Sequence, residues 1–168
     1  LTSAGFDALG IGSMEEPGFL REAGIELPMY FDQGMYSWNH LAGAAMERYG
    51  ADRLTIPVEL NEREIRDSGV QGEMIVYGYL PMMISAQCIR KTTLGCSGKP
   101  EVMWLKDRKD MRFPVVNQCR FCYNTIYNSA PLSLLGLSEQ VTGLKPNAVR
   151  LNFTVEEPAA AGEILDAF

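Results

Sequence analysis

The sequence predicts an α/β fold, a partial (β/α) TIM-barrel-like domain with a cysteine-bearing insert that contains a β-hairpin. Three observations predict it. Over residues 1–87 short apolar runs alternate with helical stretches across short loops, the pattern of parallel β/α units. The alternation then stops for about sixty residues (88–147) and resumes with one more strand and helix (148–168). No Gly-rich GxGxxG turn follows any strand, so an open dinucleotide-binding sheet fits less well.

Each element has its own reason. "FDALGIGS" (6–13) is an apolar run closed by small residues and reads as a buried strand. "EEPGFLREAG" (15–24) reads as a short helix stopped by Gly24. "IELPMYFDQG" (25–34) is a second strand. "SWNHLAGAAMERYG" (37–50) places Trp38, Leu41, Ala42, Ala45 and Tyr49 at helical spacing, with Ser37 as N-cap and Gly50 as stop. "DRLTIPVEL" (52–60) is a third strand, and "NEREIRDSG" (61–69) a helix with Asn61 as N-cap and Glu64 completing a capping box. "GEMIVYGYLPMMIS" (72–85) reads as one long fourth strand. Within the insert, "VMWLKDRKDMRFPVV" (102–116) is a hairpin around the charged turn Asp107–Asp110. "TIYNSAPLSLLGLSEQVTGL" (125–144) predicts a helix over about Ser129–Gly136 and a second short one. "AVRLNFTVE" (148–156) is the fifth strand, and "EPAAAGEILDAF" a terminal helix with Pro158 in its first turn.

The chain has 168 residues, enough for one domain with a core, at 46% hydrophobic and 21% charged. No apolar run approaches the ~20 residues of a membrane span. The start "LTSAGFDALG" has no basic segment followed by an apolar stretch, so the expectation is a cytoplasmic protein without membrane contact. It opens on Leu, almost directly on an apolar run, as a piece of a longer protein does. Five strands cannot close an eight-stranded barrel. The strand at 6–12 is therefore expected to present an apolar edge that self-association, strand exchange with a second copy or the chain's own terminal helix covers.

Charge is unevenly spread. The net charge is −6, yet Cys88–Arg120 holds eight basic and three acidic residues, a local +5 that leaves −11 for the rest. A basic insert on an acidic body suits binding to one region of an RNA, and a solvated hairpin would look the same. Lys106, Arg108, Lys109, Arg112 and Arg120 are the candidate RNA contacts. Trp104, Phe121 and Tyr123 stand among them as candidate stacking surfaces.

All four cysteines, Cys88, Cys96, Cys119 and Cys122, lie in this window or just past it, spaced C-x7-C, x22, C-x2-C. Four in a chain without a secretory signal do not suggest a disulfide scaffold. Four thiolates suit tetrahedral zinc or an iron–sulfur cluster, and spacing separates these poorly. Simple packing is the remaining alternative for any one of them.

The ordered blocks "VYGYLPMMISAQC…LGC", "LKDRKDMRFPV" and "YNTIYNSAPLSLL", preceded by "DQGMYSWNHLAGAAMERYGADRLTIPVELNEREI", resemble the collagenase-like peptidase family, the U32 peptidases, over nearly the whole chain. The resemblance implies a barrel-like domain and a [4Fe-4S] cluster on Cys88, Cys96, Cys119 and Cys122. It also implies oxygen-independent hydroxylation of tRNA or ribosomal RNA bases or, in one branch, of a quinone precursor. Other members are named proteases, so a peptidase acting on protein is the alternative function. A binding module that zinc merely staples together is a third.

In such a barrel, chemistry gathers at the C-terminal ends of the strands. The candidate catalytic residues are accordingly Asp32 and Glu59, with Asn39 from the resembling block. Asp32 and Glu59 have plainer roles, as a turn former and as a cap for the next helix. His40, the lone histidine, sits on an expected helix without a local nucleophile, which weakens a self-contained protease.

Overall fold

The computed structural model describes residues 5–168; the first four residues of the expected 1–87 block lie outside the described residues. The fold is mixed α/β with three sheets, and among the described residues none closes into a barrel. The chain divides into two compact units. The first runs through Ile75 and adds Leu137–Arg150; the second comprises Val76–Gly136 and Leu151–Phe168.

The first unit is built from βαβ steps. Strands β1 (Leu9–Ile11), β2 (Met29–Phe31) and β3 (Arg53–Leu54) are parallel, with Ile11 opposite Phe31 and Phe31 opposite Leu54. Helices α1 (Glu16–Glu22) and α2 (His40–Tyr49) make the crossovers. Side chains alternate across a strand, so Ile11, Phe31 and Leu54 share one face. They are buried there with Leu20, Met35 and Val70. Gly43 on α2 allows that helix to lie close: a Cβ there would meet Val70 at 3.2 Å.

The cap of α2 differs from expectation. Asn39 is the N-cap, accepting from the Leu41 and Ala42 amides at 3.0 Å each. Ser37 is buried instead and donates to the Thr55 carbonyl at 3.2 Å. The chain makes a tight turn at Ser37, where the Trp38 amide donates to the Tyr36 carbonyl at 2.8 Å, and the helix begins only after Asn39. Helix α3 (Glu62–Ser68) carries the expected capping box, with Asn61 accepting from Glu64 at 3.1 Å and Glu64 accepting from the Asn61 amide at 2.8 Å. Thr55 bridges to Glu73 at the start of β4 (Glu73–Gly78) in parallel. Helix α5 (Ser138–Leu144) lies beside α3, where Arg66 donates to the Gly143 carbonyl.

The run 72–85 is two strands, not one. β4 ends at Gly78 and β5 (Pro81–Ser85) follows after Tyr79–Leu80. Gly78 has φ +148, outside the range side chains accept, and turns the chain there. The expected hairpin is present as β6 (Val102–Lys106) and β7 (Arg112–Gln118), in register from Val102–Val116 to Lys106–Arg112. With β8 (Tyr123–Tyr127) they form an antiparallel sheet in the order β5-β8-β7-β6. Helix α4 (Ile89–Leu94) lies between β5 and β6 in sequence.

The helix expected over 129–136 is absent. That stretch holds β9 (Leu132–Ser133), which pairs with Tyr77 and Gly78, then a 3₁₀ turn. Pairing to an available strand outweighed local helical preference, which Ser129 and Pro131 had kept weak. β10 (Ala148–Asn152) and α6 (Pro158–Ala167, with Pro158 at its first turn) complete the fold as expected.

Gly72 marks a close approach that a side chain would prevent, since a Cβ there would lie 2.5 Å from the Leu54 carbonyl oxygen. Gly72→Ala should cost about 1–3 kcal/mol in urea denaturation. Gly10→Ala, where a Cβ meets nothing within 4 Å, should cost nothing comparable. Equal effects at the two positions would contradict this packing.

Candidate functional sites

Two sites emerge, one in each unit. The first lies on the face of β1–β3 turned away from the core. Gly10, Gly12, Tyr30, Asp32 and Thr55 alternate with the core residues, and with Glu73 and Arg150 they line a cavity of about 500 Å³. Arg150 is its centre. Nε donates to Glu73 Oε1 at 2.5 Å, and Nη2 donates to Asp32 Oδ1 at 2.9 Å and to Thr55 Oγ1 at 2.8 Å. Burial alone would pull the guanidinium pKa down. Asp32 and Glu73 outweigh that and hold it above its ordinary value.

Of the expected catalytic candidates, only Asp32 belongs to this cavity. It also accepts from the Gln33 amide at 2.8 Å, so it forms the following turn as well as pairing Arg150. Glu59 is exposed in the turn after β3 and does not line the cavity. Asn39 is spent on capping α2. His40 is exposed, and among the described residues it forms no hydrogen bond with a Ser, Thr or Cys. Arg150, Glu73 and Thr55 were missed by sequence reasoning. The signal for Arg150 was a lone charge in the middle of the apolar run "AVRLNF".

The second site is the cysteine insert. All four thiols are free. Cys88 is the N-cap of α4, its Sγ accepting from the Lys91 amide at 3.4 Å. Cys119 donates to the Lys99 carbonyl at 2.8 Å. Cys122, in the left-handed region at φ 57, turns back toward the Cys119 carbonyl at 3.8 Å. Burial, then the neighbouring Cys96 and Cys88, push the Cys119 thiol pKa up, while a hydrogen bond with Ser97 opposes them. Cys119 thus lies within electrostatic reach of Cys96 and of Cys88, and Cys122 is on the same turn as Cys119. They are not at coordinating geometry: among the described residues no three His, Cys, Asp or Glu side chains are set to hold a metal ion. The donor type, soft thiols on turns in a basic segment, suits a thiolate-bound centre.

The surroundings of the thiols are tied down. Arg90 donates to Glu101 at 2.5 Å and to the Gly95 carbonyl at 2.6 Å. Arg90, then Ser97, hold the Glu101 carboxyl below its usual range. Sequence reasoning also missed Asn117 and Asn124, cross-strand partners on β7 and β8 that flank the cysteine turn and are fully buried. Asn124 donates to the Gln87 carbonyl at 2.8 Å, but its Oδ1 and both polar atoms of the Asn117 amide find no protein partner.

The basic candidates are all exposed. Lys106 pairs with Asp110 at 2.7 Å across the hairpin turn, and Arg120 lies over Phe121 at 5.3 Å. Trp104 and Phe121 are more than half exposed, and Phe121 stacks on Tyr123. Comparison of the chain with protein-family models, curated proteins and solved structures gives no match.

The raised Cys119 thiol has less thiolate at pH 8, and thiolate is the form that alkylates. Iodoacetamide at pH 8 should therefore modify the exposed Cys96 and Cys122 before Cys119, read by peptide mass spectrometry. Cys119 reacting first would contradict a thiol held up by burial and by its two neighbours.

Proposed function

We propose that the chain is a U32 peptidase-like protein, a partial barrel whose insert holds a [4Fe-4S] cluster, and that it serves oxygen-independent hydroxylation of an RNA base in the cytoplasm. The observation that carries this reading is that four free cysteines fall in or beside one basic, aromatic-bearing insert, with Cys119 near enough to Cys96 and Cys88 to feel both. Cys88, Cys96 and Cys119 would hold the cluster, with Cys122 as fourth thiol. When bound, such a cluster supplies one-electron redox chemistry. The chain's own residues do the rest. Lys106, Arg108, Lys109, Arg112 and Arg120 attract the phosphate backbone, and Trp104 and Phe121 offer exposed faces to unstacked bases. A second copy covering the outer edge of β1 belongs to the same reading. A peptidase gains no support from the exposed His40.

Anaerobic purification followed by metal and sulfide analysis tests the cluster. The proposal expects about four iron and four sulfide per chain. Cys88→Ser, Cys96→Ser and Cys119→Ser should each lose most of the iron. One zinc per chain and no iron would replace this reading with a zinc-stapled module. For RNA, charge reversal at Lys106, Arg108, Lys109 and Arg112 should weaken binding and flatten its dependence on salt, because fewer counterions are released. Unchanged affinity and slope in a folded variant would leave the hairpin as a solvated surface.

A further inference from the structure

The cavity around Arg150 has a charge balance that restricts what it can take. Its lining holds two carboxylates and one guanidinium, a net −1, and that guanidinium is already engaged by both carboxylates. A phosphate or carboxylate ligand would meet a cation with no charge to spare. A metal ion would find only two carboxylate oxygens not already bonded to Arg150, fewer than its coordination shell needs. What is unspent is specific. Among the described residues Asp32 Oδ2 and Glu73 Oε2 accept no hydrogen bond, and Arg150 Nη1 donates none. The cavity thus offers two carboxylate acceptors and the Arg150 Nη1 donor, beside the hydroxyls of Thr55 and Tyr30. Opposite them the wall is bare backbone: a Cβ at Gly10 or Gly12 would meet nothing within 4 Å. Two glycines on one face of a strand, facing open space, leave room for a flat ligand against the main chain.

We propose that this cavity binds an uncharged planar heterocycle whose edge presents adjacent N–H donors beside an acceptor, the pattern of a 2-amino-6-oxopurine such as guanine. Its two N–H donors answer the free carboxylate oxygens, and its acceptor answers Arg150 Nη1. The choice of a nucleobase among such heterocycles rests on the RNA reading above, whereas the donor–acceptor pattern rests on the cavity alone.

The test uses the full chain without added metal, titrated with guanosine, inosine, uridine and inorganic phosphate and followed by ligand-detected NMR. Guanosine should bind, and inosine, which lacks the exocyclic amine, should bind roughly tenfold more weakly. Uridine should be weaker still, and inorganic phosphate should neither bind the cavity nor displace guanosine. Gly10→Leu should abolish guanosine binding by filling the cavity. Its backbone φ is not positive and the space is open, so the variant should keep its thermal midpoint. Arg150→Lys serves as a second variant that keeps the charge and should still weaken guanosine at least tenfold.

Absence of guanosine binding, binding that survives Gly10→Leu, or phosphate displacing guanosine would each overturn the proposal. The iron content of the insert does not enter this readout. Guanosine binding here, together with no iron in the anaerobic preparation, would refute the cluster and leave the cavity assignment standing. Iron without guanosine binding would do the reverse.

Discussion

One guanidinium organises the first unit. Arg150 is mostly buried, and a buried cation is tolerable only when paired and hydrogen-bonded. Its partners come from β4, from the end of β2 and from the residue after β3, positions 77, 118 and 95 residues away in sequence. A strand that arrives late in the chain is thereby fixed against strands laid down early. The same pairing leaves a polar face on strands whose other face is wholly apolar. Ile11, Phe31 and Leu54 close the core, and their neighbours Gly10, Tyr30, Asp32 and Thr55 line the cavity.

The second unit solves a different problem. Its antiparallel sheet carries two fully buried amides, Asn117 and Asn124, beside the turn that bears Cys119 and Cys122. Buried polar atoms without partners are costly, on the order of 1–3 kcal/mol each, and native sheets rarely keep them without a purpose. Arg90 and Ser97 both donate to Glu101 nearby and tie the chain between Cys96 and the hairpin. The unit therefore places polar, soft-donor and basic groups on one small sheet, at a cost to its own packing.

Much of the element order was legible because it depends on local chemistry. The Asn61–Glu64 box, the stop at Gly50, Pro158 at the head of the last helix and the hairpin around Asp107–Asp110 all act within a few residues. What was not legible depended on distant partners. β9 exists because Leu132 finds Gly78, and the break at Gly78 depends on a backbone conformation that the run of apolar residues conceals. The cap at Asn39 replaced Ser37 because Ser37 found a carbonyl on another strand. For the sites, Asp32 could be named from its place at a strand end. Glu73, Thr55 and Arg150 could not, since only the pairing of strands brings them to it. The cysteines were visible from spacing, but Asn117 and Asn124 look like ordinary polar strand residues until their burial is known.

The central claim is that Arg150 and its carboxylates act as one unit. A double-mutant cycle measures this directly, using Arg150→Met, Glu73→Gln and the double variant in urea denaturation. The account predicts that Arg150→Met strongly destabilises the chain by stranding Glu73 beside Asp32. It also predicts that adding Glu73→Gln recovers part of the loss, with a coupling of at least about 1 kcal/mol. Additive effects, with a coupling near zero, would contradict it.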